Sequence, residues 1–288
     1  MEFLSPSTWE EALAAKSAHP DAVPITGGTD VMVELNFDQH RPPALLDLTR
    51  VTELFEWEPD GSQLRLGAGV SYTTIIEKLG RHAPALAQAS RSVASPQIRN
   101  RGSVGGNLGG ASPAGDSHPP LLATDATIEL ASVRGTRHVP AREFYLGPRR
   151  TARQQDELIA AVLLPQPSGP QQFCKIGPRN AMVIAVTAFS LAFNTATREV
   201  GTGIGSAGPT PLRATEAEQF LAAEFDWDSG ALSEEAIRRF GELVASAARP
   251  IDDVRGTADY RKHALSVIAR RALGWSVSEY RKGEPQCV

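Results

Sequence analysis

Gln97-Ile98-Arg99-Asn100-Arg101-Gly102-Ser103-Val104-Gly105-Gly106-Asn107 is the stretch on which the reading of this chain turns. Two successive positions without a Cβ let backbone approach a ligand closely, and Ser103 and Asn107 flank them with side-chain donors. Some 70 residues upstream, Ile25-Thr26-Gly27-Gly28-Thr29-Asp30 makes a related statement. There a short strand feeds a glycine pair and then a helix, so several backbone N–H groups can point at one anion and the helix N-terminus adds partial positive charge. Either glycine pair alone reads equally well as a plain turn; two such loops in one chain suit a diphosphate. Neither matches G-x-G-x-x-G or G-x-x-x-x-G-K-[ST], which disfavours a Rossmann dinucleotide site and a P-loop.

Working outward, Ser7 and Glu10 form a capping box for a helix over Thr8 to Ala18. Val23 to Ile25 and Leu45 to Leu48 read as strands around a helix from Asp30 to Leu35, giving a small β-α-β-α-β unit in roughly the first 50 residues. Leu64 to Ala68 alternates as a half-buried strand, and Ser71 caps a helix carrying Ile75 and Leu79 on one face. Residues 90 to 120 hold more turn chemistry than a connector needs, and a short helix at Pro120 to Thr124 follows. Strands are expected at Thr127 to Val133, Arg137 to Val139 and Leu158 to Leu164. Pro165 to Pro170 is the linker candidate. Beyond it lie strands at Gln171 to Ile176, Met182 to Phe193 and Val200 to Ser206, and two apolar stripes. The stripe Leu232, Ala236, Phe240, Val244 and the stripe Tyr260, Ala264, Val267, Ile268 ending before Gly274 read as core-facing helices. The fold class is therefore α+β, with a three-stranded antiparallel sheet carrying helices on one face in the second unit.

The 288 residues are enough for two domains, and 41% apolar with 22% charged residues is ordinary globular composition. A net charge of −4 leaves no footprint for nucleic acid or anionic lipid. Local basic groups, Arg99 with Arg101 and Arg149 with Arg150, suit a bound phosphate better than a duplex. Two cysteines, Cys174 and Cys287, are too few for a zinc site or an iron–sulfur cluster, so no metal site is expected and any metal chemistry belongs to a partner. The run from Ala181 to Phe193 is too short to span a bilayer, and the start shows no basic segment followed by an apolar one, so no membrane insertion and a cytoplasmic location are expected.

The strings Ile25 to Val31, Gln97 to Asn107 and Ser112-Pro113-Ala114-Gly115-Asp116 resemble the FAD-binding medium subunit of molybdenum hydroxylases, the group that contains xanthine dehydrogenase and aerobic carbon monoxide dehydrogenase. The resemblance extends to Phe144 to Gly147, Asp156 to Ile159, Phe173-Cys174-Lys175 with Arg179, Asp253 to Gly256 and Tyr260-Arg261, so it covers nearly the whole chain. It implies an FAD-binding domain of the vanillyl-alcohol-oxidase and p-cresol-methylhydroxylase type over 1–170, in subdomains of about 1–55 and 56–170. A carbon monoxide dehydrogenase flavoprotein-like C-terminal domain over 171–288 completes it. It implies noncovalent FAD held by Pro24, Ile25, Thr26, Gly27, Gly28, Thr29, Asp30 and Val31 and by Ser103, Val104, Gly105, Gly106 and Asn107, with Asp116 also in the flavin site. Ile159 and Lys175 match positions that contact FAD from the domain junction. A cation there would favour the anionic reduced flavin.

The implied activity is that of an oxidoreductase subunit working as an electron relay, with no catalytic acid or base in this chain. A large partner would hold the molybdopterin cofactor and a small one [2Fe-2S] clusters, as a dimer of heterotrimers, with FAD passing electrons to NAD⁺, O₂ or another acceptor. His118, where the family pattern has a different residue, reads as a surface histidine, and Cys174 as a small buried apolar residue. Two other functions fit the same fold: a stand-alone flavin oxidoreductase resembling vanillyl-alcohol oxidase, and a non-catalytic assembly subunit. The roughly 110 residues after the linker are few for a substrate domain, and intact glycine loops speak against a scaffold.

Overall fold

A computed structural model describes residues 1–179 and 182–283; Cys287, and Ala181 at the head of the apolar run, lie outside the described residues. The chain opens with β1 (Glu2–Leu4), α1 (Trp9–Ala18), β2 (Val23–Ile25), α2 (Val31–Asn36) and β3 (Ala44–Asp47). The strands form a parallel sheet in the order β1-β3-β2. The cap of α1 sits one residue later than expected. Thr8 accepts from the Glu11 amide, and the Glu11 carboxylate reaches back past the cap to accept from the Ser7 amide.

After a 3₁₀ turn at Thr52–Phe55 come β4 (Trp57–Asp60), β5 (Gln63–Gly67), α3 (Tyr72–Lys78), α4 (Pro84–Ser92), α5 (Pro96–Arg99), α6 (Val104–Gly110) and α7 (His118–Ala123). Then follow β6 (Thr127–Ser132), β7 (Gly135–Pro140), α8 (Ala141–Phe144), the small ribbon β8 (Tyr145–Gly147) and β9 (Arg150–Thr151), and β10 (Leu158–Pro165). Five of these strands make an antiparallel sheet in the order β4-β5-β10-β6-β7, which packs its apolar face under α3, α4, α6 and α7. A smaller core joins this layer to the first unit through Leu54, Ala68 and Leu158.

The third layer is β11 (Gln171–Ile176), β12 (Thr187–Asn194) and β13 (Glu199–Gly205), with α9 (Thr215–Glu224), α10 (Glu234–Ala247) and α11 (Ala258–Lys282). The strands pair antiparallel in sequence order, and Phe189, Leu191 and Ile204 face the helices. The expectation of helices on one face alone is incomplete: α4 and α7 of the preceding layer cover the other face. Strand β12 begins at Thr187 rather than Met182; Met182 and Ile184 are about half exposed. Helix α11 runs through Gly274 to Lys282; of the expected stripe Ala264 and Ile268 are buried, while Arg261 and Leu265 take the inward places of Tyr260 and Val267. Tyr260 is 50% exposed while Arg261 is buried, because its guanidinium donates to the Val186 and Ser206 carbonyls and to the Asp253 carboxylate.

Candidate functional site

The second glycine stretch is a helix, not a turn. Ser103 caps α6, its hydroxyl oxygen accepting from the Gly106 amide at 3.1 Å, and the helix ends at Ala111 in the left-handed conformation. Four glycines in seven residues would not hold a helix on propensity; tertiary packing does. A Cβ at Gly105 would fall 2.5 Å from the Ala68 Cβ, and the Gly105 amide donates to the Ala68 carbonyl. Packing against Ala68 by itself demands glycine at position 105, and the Gly105 amide is already bonded to the Ala68 carbonyl.

Gly106 differs. A Cβ there would meet only Ser103 Oγ at 3.5 Å, one at Gly109 would meet nothing, and one at Gly110 only Asp30 Oδ2 at 3.7 Å. These three fall at i, i+3 and i+4, so one exposed face of α6 presents backbone bare of side chains. The first glycine loop runs beside it. Gly27 is pressed against the Arg101 carbonyl, 2.5 Å separating its would-be Cβ from Arg101 C, and Gly28 takes a φ of +72° that leads the chain into α2. The amides of Gly27, Gly28, Thr29 and Asp30 donate no backbone hydrogen bond among the described residues. Helices α2 and α6 have only six and seven residues, so the donors this loop offers an anion are its free amides and bare backbone more than helix dipoles.

Five of the expected positions also carry structural roles. Pro24 and Ile25 are strand residues of β2 paired with Leu46 and Asp47, and Val31 begins α2. Asn107 turns its side-chain carbonyl inward to accept from Ser117 Oγ at 2.6 Å. Ile159 is half-buried in β10 at a register shift, packed between the two N-terminal cores rather than at the junction with the third layer. Its neighbour Ala160 accepts from the Ala68 amide, which ties this strand to α6 through Gly105.

Asp116 and Lys175, 59 residues apart, meet in a buried ion pair between the second and third layers. Lys175 Nζ donates to Asp116 Oδ2 at 2.5 Å and to the Ser92 carbonyl at 3.1 Å, and Ser92 Oγ donates to the same carboxylate oxygen at 3.0 Å. Burial pushes the Asp116 carboxyl above the ordinary carboxylate range, with Lys175 pulling against it. Asp116 Oδ1 is buried with no hydrogen-bond partner among the described residues. Sequence reasoning had no means of finding Ser92, whose role depends on where α4 ends.

His118 corrects the expectation of a surface histidine. It is fully buried, Tyr145 O–H lies 2.9 Å from its Nδ1, and its Nε2 has no hydrogen-bond partner among the described residues. Burial pushes its pKa down to about 3, a backbone group of Ser112 opposing only in part. Neighbouring Tyr72 is buried beside Ser117, and desolvation pushes both tyrosines up. This layer lies directly beneath Gly115, whose would-be Cβ would stand 2.5 Å from Asn107 Oδ1. Cys174, with its thiol pushed up to about 12 by burial, packs toward the C-terminal core and is chemically quiet.

With this geometry in view, the comparisons are specific. Residues 1–167 match the model for the FAD binding domain in molybdopterin dehydrogenase, and residues 172–276 that for the CO dehydrogenase flavoprotein C-terminal domain. The chain is 31% identical to the xanthine dehydrogenase FAD-binding subunit of Escherichia coli O157:H7 over 283 residues, covering 94% of each. It is 30% identical over 282 residues to the nicotine 6-hydroxylase medium subunit of Paenarthrobacter nicotinovorans, covering 95% of this chain and 96% of that one. Among solved structures, a chain of carbon monoxide dehydrogenase from Hydrogenophaga pseudoflava superposes with a TM-score of 0.89 at 25% identity, covering 97% and 98% of the two chains.

Proposed function

This chain belongs to the family of FAD-binding subunits of molybdenum hydroxylases, which are oxidoreductases, and from that premise we propose where it holds FAD and what it does with it. The diphosphate lies in the groove between Pro24 to Val31 and Ser103 to Asn107, with the free amides of Gly27 to Asp30 and the bare backbone at Gly106 as its contacts. The residues fit the group on chemical grounds. Free N–H donors and bare backbone suit an acceptor-rich diphosphate, and Asp116 Oδ1, an acceptor with no donor among the described residues, suits a flavin or ribityl group that carries donors. The single observation that carries the reading is the glycine face of α6 running beside the first loop.

When bound, FAD supplies the electron-transfer chemistry. The chain's own residues bind and orient it noncovalently. Lys175 brings a cation to the flavin end, and Asp116 and Ser92 hold that cation in place. Ile159 closes the site from β10. Domains of 1–170 and 171–288 divide the work, the first carrying the diphosphate groove and the second delivering Lys175. The chain receives electrons from the [2Fe-2S] clusters of a small partner, in a complex whose large subunit binds molybdopterin, built as a dimer of heterotrimers. It passes them to NAD⁺, O₂ or another acceptor in the cytoplasm. No described helix is long and apolar enough to cross a membrane.

The test is cofactor content. The native protein, or the chain reconstituted with FAD, should hold about one flavin that acid precipitation releases as FAD. Recovery of FMN, of covalent flavin, or of none after reconstitution overturns the reading.

A further inference from the structure

Helix α7 rests on β13 of the third-layer sheet across a row of glycines. Gly201, Gly203 and Gly205 alternate along β13 and so face one side. A Cβ on Gly201 would strike the Ala123 carbonyl, one on Gly203 the Pro119 carbonyl, and one on Gly205 would stand 2.9 Å from Pro119 Cγ. The sheet register adds a second fact. Gly205 lies opposite Ala188 on β12, and Ala188 lies opposite Lys175 on β11. One row across the sheet therefore runs glycine, alanine, lysine on the face that α7 covers, spanning roughly 10 Å at the usual strand spacing. Pro119 sits over the glycine end of that row, and Asp116, three residues earlier, meets Lys175 Nζ from the other end. The Ser206 amide, just past Gly205, donates to the Pro113 carbonyl at 2.8 Å and fastens the same end of the segment.

We propose that Gly205 is a positioning residue for the flavin site: its lack of a side chain seats the first turn of α7 low enough on the sheet for Asp116 to reach Lys175. The inference rests on the FAD reading above. Its logic is steric. A methyl at position 205 meets a proline ring that cannot rotate away, so Pro119 lifts and carries Ser117 and Asp116 with it. Gly201 makes a still closer approach, but to the Ala123 carbonyl at the far end of the helix, where lifting leaves Asp116 in place. The unpartnered Asp116 Oδ1 shows that this carboxylate has an acceptor to offer once its other oxygen is held.

The experiment is a double-mutant cycle read as FAD dissociation constants of the full chain, with thermal unfolding of each apo form beside it. Gly205→Ala should weaken FAD binding about tenfold, Lys175→Met comparably, and the double variant no more than Lys175→Met alone. The midpoint potential of the bound flavin should fall in Gly205→Ala in the same direction as in Lys175→Met. Gly201→Ala should lower the unfolding temperature while leaving FAD affinity within about twofold. Additive losses in the cycle, or equal loss of FAD from Gly201→Ala, overturn the proposal. Should Gly205→Ala fail to fold, Pro119→Ala/Gly205→Ala gives the methyl room and should bind FAD as Pro119→Ala does; weaker binding by the pair contradicts the steric cause. A wild-type chain that takes up no FAD overturns the functional reading and this proposal together, whereas additivity in a flavin-binding chain overturns this proposal alone.

Discussion

Gly27-Gly28 and Gly105-Gly106 are the same dipeptide in two settings, a loop and the first turn of a helix. In each, the first glycine is a packing requirement: Gly27 lies against the Arg101 backbone and Gly105 against Ala68. The second glycines part company. Gly28 needs its freedom for a φ of +72°, a conformation costly to any residue with a Cβ. Gly106 has helical backbone and open space above it, so nothing in the fold asks for glycine there. Glycine inside a helix costs about 1 kcal/mol relative to alanine. A cost with no structural return, repeated at Gly109 and in part at Gly110, is the mark of a surface kept bare for something else.

The largest expected effect tests the packing half of that comparison. Gly105→Val places a branched side chain into the Ala68 backbone and should destabilise the apo-protein by about 3 kcal/mol or more, seen as a lower urea midpoint. An unchanged midpoint would mean that α6 is not seated on Ala68 as described.

A smaller effect examines the layer beneath α6. Because the folded pKa of His118 is depressed to about 3 from 6.5, the unfolded chain binds a proton between those values that the native state refuses. Stability should therefore fall as pH drops through that window, approaching ~1.4 kcal/mol per pH unit for one proton. His118→Gln keeps an acceptor for Tyr145 and should lose this part of the acid slope. Equal slopes in the two proteins would place His118 in a solvated setting.

The sequence was most informative where local rules coincide with the tertiary outcome. The parallel strands around the first glycine loop, the Ser71 cap and strand β11 are set by alternation and capping, and they were legible. It misled where long-range packing decides. Gly-rich residues 104–110 read as turn because glycine disfavours helix, yet contact with Ala68 overrides that preference. His118 read as exposed because its partner Tyr145 lies 27 residues on, across the α7 to β8 segment. Tyr260 was placed inward and Arg261 left out because a buried arginine is recognisable only from the carbonyls that receive it. In the candidate site, the glycine motifs were readable and the Asp116–Lys175 contact was not, since it depends on how two layers stack. Gly109 and Gly110 repeat Gly106 at helical spacing, a sequence signal of a bare helix face.

The most direct test of the central claim is FAD titration of Gly106→Val beside thermal unfolding of both apo-proteins. The fold has room for the side chain, so the unfolding temperature should move by no more than a few degrees, about what 1 kcal/mol produces in a chain of this size. FAD affinity should fall by about tenfold or more, because the added methyls occupy the space assigned to the diphosphate. A folded Gly106→Val that binds FAD as tightly as the wild type would contradict the account.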